Sequence, residues 1–494
     1  ANENTHLMGA QAIQRADEQT EVDSKEAQST NVWNVILWYF FEISYHFYNC
    51  IVNVTVGPSL QLLSILAGFE NSVGVQVTTI CNATANCIVM IASPFVGGLS
   101  DYYSFRKGAV VICAATYYTC FLLAGIFYNH FWFVAACFLI ARTGYEMVRL
   151  FYDCQIPYIM DQKKRTVAQS VGGAISFTGA ILAIIISFCC SLVWGNYSNV
   201  NTLPAGQDPD FGPLRQLVFF NFFLGSYLFI PYLFSTEKTT SEPKRPILAT
   251  VKIIGYGLIE SFKNYFKSRD CVFMFISWCC TLSALSVLNG LLVVLLTTMC
   301  GMKKTHTDFV FLSINLVALV CGFPWAFLLN KFGPKRAMQL MMICMFAGMI
   351  FLVLTGMRVS SSTVLSEWFI VPTVAFMGPA LSVVYTASRQ LVMELAPVKQ
   401  LAQFSAVTRV AARAGGMVVP IVFSTIVKRL CTHTFKETPY KYNYAYRIAQ
   451  IPVFILLIIA FIFMSLIKNH HKEYLSGKRA PYIKSTDIEL DTAM

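Results

Sequence analysis

Long apolar blocks constrain this chain more than any other feature of its sequence. An α-helix rises about 1.5 Å per residue, so about 20 apolar residues are needed to cross a bilayer core. The chain has 494 residues, of which 56% are hydrophobic and 13% charged, whereas soluble domains carry about 25% charged residues. We predict an all-α polytopic membrane protein with twelve transmembrane helices. They begin near Trp33, Gly74, Gly108, Phe131, Ala168, Gln216, Cys271, Thr307, Ala337, Glu367, Leu401 and Tyr446.

The longest polar segment separates the sixth block from the seventh. It carries seven lysine and arginine residues, and its second half has the pattern of an amphipathic helix lying on a membrane surface. The N-terminal stretch is polar and acidic, which predicts disorder. The predicted divisions are a disordered cytosolic tail (1–31), a six-helix bundle (32–234), the basic linker (235–270), a second six-helix bundle (271–467) and a cytosolic tail (468–494).

The two halves of the chain resemble each other. The stretch Pro94–Lys107 recurs loosely as Pro324–Arg336, and the pair Ala168–Gln169 recurs as Ala402–Gln403 at nearly the same separation. A parallel repeat of six helices predicts two bundles that rock against each other, as in many transporters.

Basic residues lie mainly in short loops on one side of the predicted membrane. The formal net charge is +11, but this distribution is typical of orientation signals and does not indicate a nucleic-acid partner. The positive-inside rule predicts that both termini are cytosolic, although the connection between the eleventh and twelfth helices is basic too. Of three glycosylation sequons, only Asn196 then falls in a loop on the non-cytosolic side.

The sequence carries none of the common patterns for catalysis or for holding a cofactor or metal. It has no nucleophile elbow, phosphate-binding glycine loop or metal-ligand spacing. Its sixteen cysteines lie mostly within apolar blocks and form no CxxC pair, so we expect structural thiols. His470 and His471 lie in the C-terminal tail, where the sequence offers them no partner. We predict that the protein is not an enzyme and needs no cofactor.

A stripe of charge runs through the fourth apolar block. Arg142, Glu146, Arg149 and Asp153 are spaced four, three and four residues apart, so they share one face of a helix. Counted from Phe131, Arg142 lies roughly 17 Å into the membrane, near its midplane. A charge there costs about 2.5–3.5 kcal/mol on insertion scales, so the stripe must face protein or water.

Two other helices carry polar residues at comparable depth. The stripe of the first helix consists of Glu42, His46, Asn49 and Asn53. Glu42 lies roughly 14 Å into the membrane, and Arg409 and Arg413 of the eleventh helix lie at roughly 12 and 18 Å. Opposite charges on three helices are therefore expected at similar depth.

Two interpretations of these stripes remain open. In the first, the charges neutralise one another along their own helices and only hold the bundle together. In the second, they line a hydrated cavity, where Arg142 or Arg413 binds a substrate carboxylate through its forked guanidinium. Glu42 then faces a substrate ammonium, or exchanges a proton with His46 near neutral pH.

Several short motifs resemble those of a known family. Pro94–Lys107 resembles the cytosolic loop signature of the major facilitator superfamily. Within it, the chain resembles the autophagy-related vacuolar amino-acid effluxer family from about residue 38 to 420. The matching stretches are FYDCQIP (Phe151–Pro157), VGGAISFTGA (Val171–Ala180), VLNG (Val287–Gly290) and ASRQLVMELAP (Ala387–Pro397). The chain departs from the family at Phe40, Ile43 and Asn289, where the family usually has Asp, Asn and often an acidic residue.

The resemblance implies a central cavity between the halves and a gate at the cytosolic rim. The expected substrate-binding or coupling residues are Glu42, His46, Asn49, Arg142, Glu146, Asn289, Arg409 and Arg413. The expected gate residues are Asp101, Arg106, Lys107, Arg149, Asp153 and Arg389.

The resemblance also implies a function. A member of this family would be a secondary active transporter that exports amino acids or similar small zwitterions by alternating access. Its membrane would be that of a vacuole or lysosome rather than the plasma membrane. We expect a monomer in the bilayer, with a small-molecule substrate and protons as the candidate coupling ion.

Two alternatives stay open. The first is a proton-coupled carrier of a sugar, lysolipid or drug, and the second is a non-transporting scaffold or receptor that keeps the fold. Charges near the midplane favour a carrier, because a scaffold gains nothing from the cost of removing them from water.

Overall fold

Long α-helices make up almost all of the computed structural model of the chain. It describes residues 32–67, 71–103, 105–159, 162–194, 212–236, 255, 259, 262–300, 302, 304–357, 364–396, 401–432 and 440–475. The predictions for residues 1–31, for Asn196 and for most of the linker fall outside these residues. Within the linker, residues 262–267 are helical.

The helices of the first half correspond to the first six predicted blocks. They are α1 (Val32–Leu66), α2 (Asn71–Tyr103), α3 (Arg106–Ile126), α4 (Phe131–Ile159), α5 (Gln162–Trp194) and α6 (Gly212–Phe229), which a 3₁₀ turn (Ile230–Phe234) follows.

The second half repeats this arrangement. Its helices are α7 (Arg269–Val294) with a π-helical end (Leu295–Met299), α8 (Lys304–Phe332), α9 (Pro334–Leu354), α10 (Ile370–Leu395) after a 3₁₀ turn (Glu367–Phe369), α11 (Leu401–Thr432), α12 (Tyr440–Ile448), α13 (Ile451–Leu466) and the short α14 (His471–Leu475). The twelfth predicted block is divided between α12 and α13, and Pro452 lies in the first turn of α13.

Eleven of the predicted blocks coincide with one helix each and the twelfth with two, and the predicted starts lie within six residues of the observed ones. Over the described residues, nine helical segments are long and apolar enough to cross a membrane. The other three spans are α1, α2 and α6. Polar residues such as Asn49 and Asn86 interrupt the apolar sequence of α1 and α2, and the described apolar stretch of the sixth span is the shorter Val218–Phe234. The fold class predicted from the sequence is confirmed.

Because the spans alternate in direction, α1 begins and α13 ends at the same face of the molecule, which we call the terminus face. The N-terminal bundle has an aromatic core, in which Tyr45 stacks on Tyr145 at 4.1 Å and Trp38 on Tyr152 at 4.3 Å between ring centroids. The C-terminal bundle has its own core, rich in buried methionine. Lipid tails are as apolar as these side chains, so close packing stabilises the bundles more than exclusion of water does.

Glycines permit the closest helix crossings at equivalent places in the two bundles. A Cβ atom on Gly179 of α5 would clash with the carbonyl oxygen of Ile43 in α1. A Cβ atom on Gly415 of α11 would likewise clash with the carbonyl oxygen of Cys279 in α7. Helices five and eleven occupy the same position in their halves, as do helices one and seven. The internal repeat therefore extends to backbone packing.

The two bundles meet mainly along two pairs of helices. Helix α5 packs against α8, and α2 packs against α11. Gly322 of α8 lies directly against Ala174 of α5. These contacts bring the polar faces of α1, α4 and α11 towards a common space near the middle of the molecule.

Candidate functional site

One carboxylate joins the two bundles near the middle of the membrane-spanning helices. Glu146 of α4 lies 2.7 Å from Arg142, one turn earlier on the same helix, through its Oε1 atom. Its Oε2 atom lies 2.5 Å from Nη1 of Arg413, which α11 contributes from the other bundle. Each oxygen of the carboxylate therefore binds one guanidinium, and the second of these ion pairs crosses between the bundles.

Two asparagines complete the coordination of the arginines. Nη1 of Arg142 donates a hydrogen bond to Oδ1 of Asn49 on α1, at 3.3 Å. Nη1 of Arg413 donates to Oδ1 of Asn86 on α2, at 3.1 Å. Four helices thus hold one group of residues, which we call the inter-bundle centre. Its members are Asn49, Asn86, Arg142, Glu146 and Arg413.

The arginines of this centre are more accessible than the carboxylate between them. The side chains of Arg142 and Arg413 are 20% and 21% exposed, whereas that of Glu146 is 7% exposed. The guanidinium of Arg142 also lies over the ring of Tyr145, at 5.1 Å from its centroid. A solute between the bundles could therefore reach the two cations, which already bind a carboxylate.

A second charged pair lies closer to the terminus face. Arg149, three residues beyond Glu146 on α4, has its Nη2 atom 3.9 Å from Oε1 of Glu42 on α1. The Arg149 guanidinium lies 5.0 Å from the ring centroid of Tyr45 and 5.3 Å from that of Tyr385. Tyr385 belongs to α10, so this cation–π contact also joins the two bundles.

His46 lies beside this second pair. Its ring is 5.7 Å from the rings of both Tyr45 and Phe177. The guanidinium groups of Arg149 and of Arg389 on α10 interact electrostatically with its imidazole. The stripe of α1 therefore faces cations on α4 and α10 as well as the inter-bundle centre.

The remaining expected residues occupy different places. Lys107 donates hydrogen bonds to the carbonyl oxygens of Leu233 and Ser235, at 2.5 and 2.7 Å, which ties α3 to the end of α6 within one bundle. Arg106 is fully buried at the start of α3. Arg409 lies one turn before Arg413 on α11. Asp101, Asp153 and Asn289 lie on the helical backbones of α2, α4 and α7, and their side chains are outside the described part of the structure.

Sequence reasoning missed two residues of this region. In the sequence, Asn86 and Asn82 form a polar face on the second helix. Nothing in the sequence relates Asn86 to Arg413. Tyr385 stands in an apolar stretch of the tenth block, where an aromatic residue carries no signal. The polar face of α2 was the one available sign of the first of these contacts.

Two helical bundles that meet around charged groups at mid-membrane define a class of membrane protein, the secondary transporters. Comparison with known proteins supports the same class. The family model described as the Major Facilitator Superfamily matches residues 43–420, and the chain belongs to this superfamily. No curated protein sequence matches the chain.

Solved structures share the fold at low sequence identity. A proton:xylose symporter, XylE, aligns with a TM-score of 0.64 at 13% identity, over 89% of this chain and 96% of the symporter. A bacterial homologue of the human lysosomal transporter Spinster aligns with a TM-score of 0.57 at 12% identity, over 92% and 100%. The human organic anion transporter MFSD10 aligns with a TM-score of 0.60 at 12% identity, over 87% of this chain and 99% of that transporter. The protein is therefore similar to transporters that differ in substrate.

Proposed function

We propose that this transporter carries amino acids or similar small zwitterions, and that the inter-bundle centre binds their carboxylate. The observation that supports this most directly is the position of Glu146 between Arg142 and Arg413. Two guanidiniums from opposite bundles already hold a carboxylate, with one oxygen on each. Charge-assisted pairs of this kind suit arginine better than lysine, because the planar fork matches a carboxylate.

The transport step follows from competition for these cations. A substrate carboxylate that enters between the bundles replaces Glu146 on Arg413. The ion pair that links the bundles is then lost, and the bundles become free to rock about their contacts. A ligand shifts a conformational equilibrium only by its differential affinity for the two states, and the exchanged ion pair supplies that difference.

The acidic residues of α1 and α4 serve the rest of the substrate or the coupling ion. The carboxylate of Glu42 lies 3.9 Å from Arg149 on the face of α1 that also carries His46 and Asn49, and we propose that it binds the substrate ammonium. Glu146, once displaced from Arg413, can take up a proton from an acidic compartment. Protons are therefore the proposed coupling ion, and His46, one turn after Glu42 on α1, is a further candidate to carry one.

Orientation and compartment are part of the proposal. Basic loops place the terminus face in the cytosol by the positive-inside rule. The resemblance to the vacuolar amino-acid effluxers then favours export from a vacuole or lysosome to the cytosol, by a monomer. In this orientation Arg149 and Tyr385 lie on the cytosolic side of the centre, where their contact belongs to the gate together with Arg389. The rim residues Asp101, Arg106, Lys107 and Asp153 are proposed gate residues on the resemblance alone.

One other class of substrate has support of its own. Solved structures with this fold include the xylose symporter and a nucleoside transporter, NupG, which aligns with a TM-score of 0.59 at 13% identity over 87% of this chain and 100% of that one. A proton-coupled carrier of an uncharged solute would use the inter-bundle ion pair only as a gate. Such a carrier would have no need for a substrate carboxylate.

A transport assay with matched substrates separates these functions. Purified protein in proteoliposomes is given labelled leucine, xylose or uridine in separate experiments under an imposed pH gradient. Unlabelled leucine and leucine methyl ester are then tested as competitors of leucine uptake. We expect competition by leucine and none by the ester, since the ester lacks the carboxylate. Uptake of xylose or uridine without uptake of any amino acid would overturn the proposal. No flux of any solute would favour the scaffold.

A further inference from the structure

The chain after α13 turns back onto the terminus face of the C-terminal bundle. The backbone N–H of Lys468 donates to Oδ1 of Asp270, at the start of α7, over 3.3 Å. Nε2 of His470 lies 3.3 Å from the other oxygen of that carboxylate. The prediction that His470 and His471 have no partner is therefore wrong, because partners distant in sequence meet them at the helix ends.

His471, the first residue of α14, is buried between two helix ends. Its Nδ1 atom lies 2.7 Å from Oε1 of Glu394, near the end of α10, and its Nε2 atom lies 2.9 Å from the carbonyl oxygen of Asn330, near the end of α8. The side chains of His471 and Glu394 are only 4% and 2% exposed. Gly333 lies against His471 with a φ of +82°, so a larger residue there would be strained and would clash with the imidazole.

The hydrogen-bond partners of His471 determine which of its ring nitrogens must carry a proton. A carbonyl oxygen only accepts, so Nε2 must carry a proton to bond to Asn330. Nδ1 faces a carboxyl group, and the contact needs one further proton, on the imidazole or on Glu394. Without that proton, a lone pair of His471 would face a carboxylate inside a buried site. The hydrogen bond that protonated His471 donates to the Glu394 carboxylate raises the pKa of His471 above its ordinary value of about 6.5.

We propose that residues 468–475 form a proton-controlled latch on the ends of α7, α8 and α10 at the terminus face. With the shared proton bound, His471 ties the segment to Glu394 and Asn330, and the latch is closed. Loss of that proton replaces a hydrogen bond by a repulsive contact, and the latch opens. Because the pKa of His471 is raised on folding, the stabilisation is complete below the ordinary histidine pKa and is lost as pH rises through the raised value.

Several other charged residues contact the latch segment or lie beside it. His470 contacts Asp270 of α7 and, at 3.0 Å, Glu473 of its own helix. Lys335, in the first turn of α9, donates hydrogen bonds to the carbonyl oxygens of Ser465, at 3.0 Å, and Ile467. The positive charge of Lys335 and the negative charge of Asp270 also attract each other. These contacts hold the segment near the bundle, and His471 inserts between the ends of α8 and α10.

The latch bears on the contact between the bundles. Glu394 lies about two and a half turns after Tyr385 on α10. Tyr385 is the residue that packs against Arg149 of the other bundle. A closed latch fixes the end of the helix that makes this contact, and an open latch leaves that end free to move with the gate.

Hydrogen–deuterium exchange of residues 468–475 tests the latch in nanodiscs at about pH 6 and pH 8.5, after correction for intrinsic exchange rates. For the wild-type protein we expect at least about tenfold weaker protection at the higher pH, which corresponds to about 1.4 kcal/mol of local stability. Glu394→Gln should be protected equally at both values, because its amide N–H donates to Nδ1 while Nε2–H still donates to Asn330. His471→Ala should be unprotected at both.

His470→Gln is the matched control, and it should keep the pH dependence of the wild type. Wild-type protection that does not change between the two pH values would overturn the proposal. A Glu394→Gln variant that keeps the full pH dependence, or a His470→Gln variant that loses it, would also overturn it. The Glu394→Gln comparison stands even where His471→Ala fails to fold. No substrate is needed, so failure of the latch is distinct from failure of the proposed transport function.

Discussion

Glu146 and Arg413 form an ion pair of 2.5 Å across the two bundles, although 267 positions separate them in the chain. The same carboxylate binds Arg142 on its own helix. Burial of this group between two cations explains how charges can lie at mid-membrane, because each charge has a partner of opposite sign or a hydrogen bond. It also makes the pair a link that a competing carboxylate can break.

Replacement of Arg413 tests whether the link binds substrate. Arg413→Lys keeps the charge but not the fork, so we expect leucine flux to fall about ten- to a hundredfold, the loss of one charge-assisted hydrogen bond. Arg413→Gln should lower it further. Arg269→Gln, which removes an exposed arginine at the terminus face, is the control and should transport normally. Flux of Arg413→Lys within about twofold of wild type would show that the fork is not used.

Removal of the Glu146 carboxylate, which competes with the substrate for the two arginines, should affect substrate binding and turnover differently. In Glu146→Gln, the substrate carboxylate no longer competes with a protein carboxylate for Arg142 and Arg413, so we expect KM for leucine to fall. The ion pair that re-forms after substrate release is missing, so kcat should fall too. Initial rates in proteoliposomes measure both constants. A raised KM with unchanged kcat would mean that Glu146 contacts the substrate and does not compete with it.

The helices could be predicted from sequence because the length of an apolar block determines whether it spans a membrane. The pairing of Arg142 with Glu146 also follows from sequence, since helical periodicity places residues four apart side by side. The pairing of Glu146 with Arg413 does not, because similar depth on two helices leaves open which faces meet. The partners of His471 lie 77 and 141 positions away, so no local pattern indicates them.

Close glycine crossings should limit stability in both bundles. Gly179→Ala and Gly415→Ala force a methyl group onto the carbonyl oxygens of Ile43 and Cys279. We expect each to lower stability by about 1–3 kcal/mol, the usual cost of overpacking, as seen in thermal unfolding of purified protein. Gly255→Ala is the control, since no atom of the described residues lies within 4 Å of its added Cβ. Equal stability of all three variants would contradict the packing described for α1 with α5 and α7 with α11.

The orientation can be tested without transport. With both termini in the cytosol, protease added outside sealed vacuoles should remove an epitope attached at Met494. Asn196 should be the one sequon that accepts a glycan, and Asn196→Gln should abolish the mobility shift. Protection of the epitope, together with an unglycosylated Asn196, would reverse the orientation and with it the proposed direction of export.

Paired replacement of Arg142 and Glu146 distinguishes binding from mere neutralisation. Arg142→Met with Glu146→Gln removes one charge of each sign at similar volume, and such replacements of buried pairs are often neutral or stabilising. Arg413 keeps its hydrogen bond to Asn86. The measurement is thermal unfolding and leucine flux on the same purified double variant. We expect a folded variant, less stable than wild type because Arg413 loses the Glu146 carboxylate, with no detectable flux; a folded variant with wild-type flux would contradict a role for this centre in binding the substrate carboxylate.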